Sequence, residues 1–398
     1  MVGNGMAAMR TVEQLLVEAP DAYDITIFGA EPHGNYNRIL LSPLLAGERD
    51  RADLELNSLQ WYADRGITLH VGDPVEKIDR RQRRVFSASG CVVPYDRLLL
   101  ATGSDPVVLD VPGGALPGIL SFRSLDDVDA MLTAARQHRS AVVIGGGLLG
   151  LEAANGLLKQ GMRVTVVHLH ARVMERQLDD DAAELLRRSL QTSGIEFCLA
   201  AQTAAFEGGD RVETVVLADG RRLTADLVVV AAGIRPRIDL ARSCGLRCDR
   251  GVLVDDTLQT FDPAIYAVGE CVQHRGTTYG LVAPLWEQAR VCAAHLAERG
   301  VARYRGSMPQ SQLKVTGIDV FSAGDIAAVA GTESLRYVDR GGGVYKRLVL
   351  QGNRLQAAVL FGDTRDSAWY AQLIETRRDI SALRELMLLG GRPAAETA

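Results

Sequence analysis

Apolar residues along the chain fall into two recurring patterns. Short continuous apolar runs at 97–101, 141–144, 228–232 and 265–268 predict strands buried on both faces of a parallel sheet. Ile25-Thr26-Ile27-Phe28 and Val164-Thr165-Val166-Val167 are β-branched stretches in which a polar threonine alternates with apolar neighbours. Each follows a glycine-rich turn and an Ala/Leu-rich run with helical texture. Both stretches therefore read as strand–turn–helix–strand units of the length needed for a parallel crossover. Their turns, opening at Gly3 and Gly145, lie about 140 residues apart, which predicts two Rossmann-like domains. From residue 301 the texture changes. Leu313-Lys314-Val315, residues 345–350 and residues 355–361 alternate like antiparallel strands, and residues 366–389 read as helical. This predicts a third, α+β domain, with residues 392–398 as a frayed tail or the start of a linker.

Composition narrows the class. A chain of 398 residues suggests two to four domains at roughly 100–200 residues each. It is 47% hydrophobic and 23% charged, an ordinary globular balance, with a net charge of −5. That mild acidic excess argues against a nucleic-acid partner, which needs a clustered basic face. No apolar stretch is long enough to span a membrane, and residues 1–10 carry no secretory signal, so a cytoplasmic chain is expected. The six cysteines and seven histidines are scattered, with no Cys-x-x-Cys pair, so no metal site is predicted.

The glycine turns carry the chemistry. In a Gly-x-Gly-x-x-Gly/Ala turn the first glycine permits the tight bend. The second lets a pyrophosphate approach the backbone. The third small residue lets helix and strand pack closely, and the helix N-terminus faces the phosphates. Gly3, Gly5 and Ala8 fit this pattern, as do Gly145, Gly147 and Gly150. An acid at the end of the second strand ordinarily accepts the ribose hydroxyls. Glu31 takes that place in the first unit. In the second unit the place falls on His168, with His170 and Arg172 just beyond. Arg172 suits either a 2′-phosphate contact or a surface charge, so the choice between NADH and NADPH stays open.

With these turns the chain resembles the pyridine nucleotide–disulfide oxidoreductase superfamily. Leu100-Ala101-Thr102-Gly103-Ser104 is similar to that family's Ala-Thr-Gly segment beside the FAD. Val230-Ala231-Ala232-Gly233-Ile234-Arg235-Pro236 is similar to its counterpart closing the nucleotide domain. Tyr266-Ala267-Val268-Gly269-Glu270-Cys271 is similar to the second FAD motif, with Glu270 in place of the commoner aspartate that bonds the ribityl chain. The resemblance implies an FAD-binding domain at 1–118 and 240–300, an NAD(P)-binding domain at 119–239 inserted in it, and a C-terminal α+β interface domain at 301–398 that covers the flavin. It also implies cofactor contacts at Met6, Ala7, Val75, Leu148 and Leu149, an FAD phosphate contact at Arg38, and nicotinamide positioning by Glu152.

Within that superfamily the disulfide reductases carry a redox cysteine pair. Here Tyr36-Asn37-Arg38-Ile39-Leu40-Leu41-Ser42-Pro43 has none. This segment, with residues 280–288 and 313–325, resembles the flavoprotein module of NAD(P)H nitrite reductase large subunits. That resemblance implies electron flow from NAD(P)H through FAD to an iron–sulfur or sirohaem-containing redox protein of nitrite or nitrate assimilation. The iron–sulfur and sirohaem parts of such subunits lie beyond the resemblance, so nitrite reduction by this chain alone is not expected. A rubredoxin or ferredoxin reductase and an FAD-depleted assembly subunit stay open as alternatives. Only Met1 and Val2 precede Gly3, where a first strand normally needs about five residues. Either the start is set too late or the central FAD strand is a stub, and FAD affinity is at stake.

Overall fold

The computed structural model describes residues 1–315, 317–327 and 330–389, so the expected tail at 392–398 lies outside the described residues. The architecture is mixed α/β, and its contacts divide the chain into two units.

The first unit comprises residues 1–44, 49–107 and 233–307. Its centre is a parallel sheet. Thr68–His70 pairs with Thr26–Phe28, and Leu98–Leu100 pairs with Ile265–Ala267. Val2 lies between these halves, bridging Phe28 on one side and Leu100 on the other. Its amide donates to the Leu99 carbonyl and its carbonyl accepts from the Ala101 amide, while Met1 and Gly3 bond the two faces of Phe28's peptide. Met1, Val2 and Gly3 thus occupy the central slot of this sheet, and four backbone bonds hold them there. Val2, Phe28, Leu100 and Ala267 are all buried, as both-face coverage by helices requires. Helix Met6–Glu18 follows the glycine turn and packs on helix Val282–Leu296.

The second unit comprises residues 45–48, 108–232 and 308–398. A five-stranded parallel sheet runs Ile119–Ser121, Leu227–Val230, Ser140–Ile144, Arg163–Val167, Ile195–Cys198. Ser140–Ile144 is buried at every position. A second sheet is antiparallel: Gln310–Val315, Ile318–Gly324, Arg354–Phe361, Val344–Gln351, Thr332–Asp339.

Two local expectations for this last part fail. Residues 345–350 do not alternate: every one is buried. Lys346 and Arg347 are tolerated inside because each has carboxylate partners, Lys346 with Asp363 and Asp366, and Arg347 with Asp179. The helix expected over 366–389 stops at Thr376. Arg377 adopts a left-handed backbone, φ +50°, which ends the helix, and Asp379 then bridges Arg354 at the start of the central strand Arg354–Phe361.

Candidate functional site

The two glycine turns are built alike. Gly3 and Gly145 have φ of +107° and +124°, a region that side chains disfavour, and a Cβ on either would run into a backbone carbonyl, of Ala101 and of Ala231 respectively. The next glycines differ in kind. Gly5 and Gly147 are extended, and a Cβ there would meet nothing within 4 Å. Each is the N-cap of its helix, Met6–Glu18 or Leu148–Lys159. Neither helix has a side-chain cap or an acid in its first turn. Both N-termini therefore present unsatisfied N–H groups to open space, the arrangement a pyrophosphate requires. Gly150 sits against the Gly145 carbonyl, where any side chain would collide, and Ala8 is fully buried.

In the first unit Arg38 interacts with both Glu31 and Glu270. Both oxygens of Glu31 are engaged: Oε2 accepts from the Tyr36 hydroxyl at 2.6 Å, and Oε1 pairs with Arg38. Arg38 opens a short 3-10 helix, Arg38–Leu40, and its guanidinium lies over the Tyr36 ring. Burial opposes its charge, but Tyr36, Glu31 and Glu270 more than offset this and hold Arg38 above its ordinary pKa. Glu270 accepts from the Ser104 hydroxyl at 2.6 Å. Met6 and Ala7 are buried at the head of the first helix, where Ala7 lies against Gly269. The Gly269 amide donates to the buried Gln288 at 2.8 Å. Val75 opens the strand Val75–Asp79 and is half-buried.

Thr102 and Gly103 lead into the strand Ser104–Pro106, which pairs antiparallel with Ile234–Pro236 after Gly233. The Thr102 hydroxyl donates to the Arg237 carbonyl at 2.7 Å, and the Arg237 amide donates to the Gly103 carbonyl at 2.9 Å. These bonds bring together two segments, around Ala101 and Gly233, that are far apart in sequence.

In the second unit Leu148, Leu149 and Glu152 are half-buried on the first turns of their helix. His168, at the end of Arg163–Val167, accepts from the Gly146 amide at 3.0 Å. It fills the space beside that glycine so fully that a Cβ on Gly146 would stand 2.8 Å from the ring. Arg172 is turned toward Asp180, at 2.5 Å.

Sequence reasoning missed several polar residues. Asn4, within the first turn, accepts from Tyr62 through Oδ1, while its buried Nδ2 has no partner among the described residues. Its place in the turn was the signal available. Tyr36 and Gln288 lie in segments 36–43 and 280–288 but carry no feature marking them as partners of Glu31 and Gly269. Together, the open ground before Gly5 and Gly147 and the orphaned Asn4 donor show that the residues present fit two dinucleotides.

The family model for pyridine nucleotide-disulphide oxidoreductases matches residues 1–295, and that for the rubredoxin NAD+ reductase C-terminal domain matches residues 309–378. The chain belongs to the pyridine nucleotide-disulphide oxidoreductase family and is an FAD-dependent NAD(P)H oxidoreductase. It is 47% identical over 389 residues to a nitrite reductase [NAD(P)H] of Bacillus subtilis, covering 98% of this chain and 48% of that protein. It is 44% identical to the assimilatory nitrate reductase electron transfer subunit of the same organism, covering 98% of this chain and 50% of that one. The chain thus spans about half the length of these curated relatives. Among solved structures, the ferredoxin reductase for the CYP199A2 system of Rhodopseudomonas palustris matches with a TM-score of 0.87 and 28% identity, covering 95% of this chain and 94% of that one. No helix among the described residues is long and apolar enough to cross a membrane.

Proposed function

We propose that this chain passes electrons from NAD(P)H, through FAD, to an iron–sulfur or haem-type protein of nitrite or nitrate assimilation. Bound FAD supplies the conversion between a hydride and single electrons. The chain's own residues bind and orient. Gly3, Gly5, Met6, Ala7 and Ala8 hold the FAD pyrophosphate, with Arg38 as its cationic partner and Glu31 on the ribose. Glu270 and Gly269 meet the ribityl side, and Val75, Ala101, Thr102 and Gly103 complete the cradle. The NAD(P)H turn is 145–150, with Leu148, Leu149 and Gly233 around it, His168 at the ribose end and Glu152 positioning the nicotinamide. The division into an FAD domain at 1–118 and 240–300, an NAD(P) domain at 119–239 and a C-terminal domain at 301–398 belongs to this reading.

The observation that carries it is the pair of uncapped helix N-termini behind Gly5 and Gly147, each facing open space. The route out of the flavin needs no internal dithiol, because residues 36–43 contain no cysteine. A ferredoxin- or rubredoxin-type reductase is a second reading, favoured by the match over 309–378. The test is acceptor preference. Purified protein should be yellow and, given NADH, should reduce an iron–sulfur nitrite or nitrate reductase component from the same cell faster than rubredoxin, quinone or oxygen. Rubredoxin as the best acceptor would favour the second reading, and oxygen or quinone as the best acceptor would defeat both.

A further inference from the structure

The ribose end of the second glycine turn has no acid on its strand, yet the structure supplies one from elsewhere. Where a carboxylate ordinarily accepts the ribose hydroxyls stands His168, 7% exposed. Both of its ring nitrogens are engaged within the protein. The Gly146 amide must donate, so Nδ1 accepts at 3.0 Å. The ring proton then sits on Nε2 and is donated to Glu175 Oε2 at 3.1 Å. The imidazole has no acceptor left for a ribose hydroxyl.

Glu175 does. Its side chain is 26% exposed, and its other oxygen, Oε1, lies 3.8 Å from His170 Nε2. It lines an open cavity of about 580 Å³ together with His170, Arg172, Asp180, Glu184 and Arg187. The segment carrying it is tied to the turn itself, because the Met174 amide donates to the Gly146 carbonyl at 2.9 Å. Gly146 thus fixes Glu175 twice: through its carbonyl by backbone, and through its amide by way of His168.

The charges around Glu175 also disfavour a phosphate. Arg172 is committed to Asp180 at 2.5 Å and to the Glu175 carbonyl at 3.2 Å. Arg187 is bound to both oxygens of Glu184 at 2.7 Å. Arg172 is paired with Asp180, and Arg187 shares Glu184 with Arg188, so both arginines of the cavity wall are held in ion pairs while Glu175 is the carboxylate that His168 holds beside the turn. A 2′-phosphate, carrying about −2 near pH 7, would be placed against it.

We propose that Glu175 is the carboxylate that recognises the adenosine ribose of the nicotinamide nucleotide, and that it selects NADH over NADPH. His168 is a positioning residue: it stands where the acid would be and delivers Glu175 to the turn. This rests on the reading of turn 145–150 as the NAD(P)H site.

The test uses the full-chain holoprotein, titrated calorimetrically with ADP-ribose and with 2′-phospho-ADP-ribose. Neither carries the nicotinamide, so the result is independent of flavin reduction. Wild type should bind ADP-ribose at least tenfold more tightly. Glu175→Gln should reduce that ratio to below threefold, Glu175→Asp should restore most of it, and Glu175→Arg should invert it. In turnover the Gln variant should raise KM for NADH with kcat within twofold, a split that general loss of structure would not give. A ratio unchanged in folded Glu175→Gln and Glu175→Arg, or a wild type that prefers the 2′-phosphate, overturns the proposal. Discrimination controlled by Glu175 without NADH-driven flavin bleaching would uphold it while sinking the oxidoreductase reading of the site. Failure of the folded wild type to bind either compound would sink both.

Discussion

Gly5 and Gly147 adopt the same backbone at the heads of their helices, φ −81° and ψ −178° against φ −82° and ψ −176°. Neither conformation demands glycine, and at neither position would a Cβ meet a neighbour within 4 Å. The glycine is therefore kept for what approaches from outside. Gly147→Val should fold with a loss of no more than about 1 kcal/mol, the scale of an N-cap change. It should retain its yellow FAD while the stopped-flow rate of flavin reduction by NADH falls at least tenfold. Unchanged reduction would remove turn 145–150 from the NAD(P)H site.

Arg38 joins Glu31, Tyr36 and Glu270 electrostatically. Arg38→Ala should weaken FAD binding by about 1.5–3 kcal/mol, the range for a hydrogen bond to a charged group, or roughly 10–100-fold in Kd. Fluorescence titration of deflavinated protein with FAD checks this. An affinity within twofold of wild type would place the phosphate elsewhere.

Four of the six thiols are poorly suited to carry electrons. Burial pushes the Cys271 and Cys292 thiols up, and it does the same for Cys244 and Cys248. Treatment with iodoacetamide at mildly alkaline pH should leave NADH-driven flavin reduction within twofold of the untreated rate. A larger loss, with circular dichroism unchanged, would point to a thiol in the path.

Asp256 accepts from Arg275 and from the fully buried His274, and these hydrogen bonds hold its carboxyl at about 2, below the ordinary 3.8. The folded state thus binds the proton less readily than the unfolded one. The stability this contributes is complete above about pH 4 and is lost as pH falls toward 2. Asp256→Asn should remove that segment of the acid-denaturation curve. It should also cost about 1–3 kcal/mol at neutral pH through the disturbed bond to buried His274. Urea melts at pH 7 and pH 3 measure both; equal losses at the two pH values would refute the linkage.

Much of the scaffold was legible in the sequence because strand burial on both faces leaves continuous apolar runs. Leu227–Val230 and Ile265–Ala267 lie within one or two residues of the expected runs, and both glycine turns open helices as read. What escaped was set by tertiary pairing. Lys346 and Arg347 look solvent-facing until Asp363 and Asp179 are placed beside them. The end of the last helix depends on one backbone conformation at Arg377, a residue type with no turn signal. At the end of Arg163–Val167, His168 was found by position, but its partner Glu175 was not, because nothing in its local sequence says that it reaches back to an imidazole seven residues earlier.

The double bridge at Val2 bears on the order in which the first unit can form. Thr26–Phe28 and Thr68–His70 are close in sequence and can pair early, whereas Leu98–Leu100 gains Ile265–Ala267 only after residues 108–232 have been made. Throughout that interval one edge of Leu98–Leu100 lies open to other chains. Val2, earlier in the chain than any of these strands, is already available to cover the opposite edge and hold the early half-sheet in register. A short early segment can in this way serve as a clamp during synthesis, keeping a parallel sheet half-assembled while the insertion that interrupts it is completed.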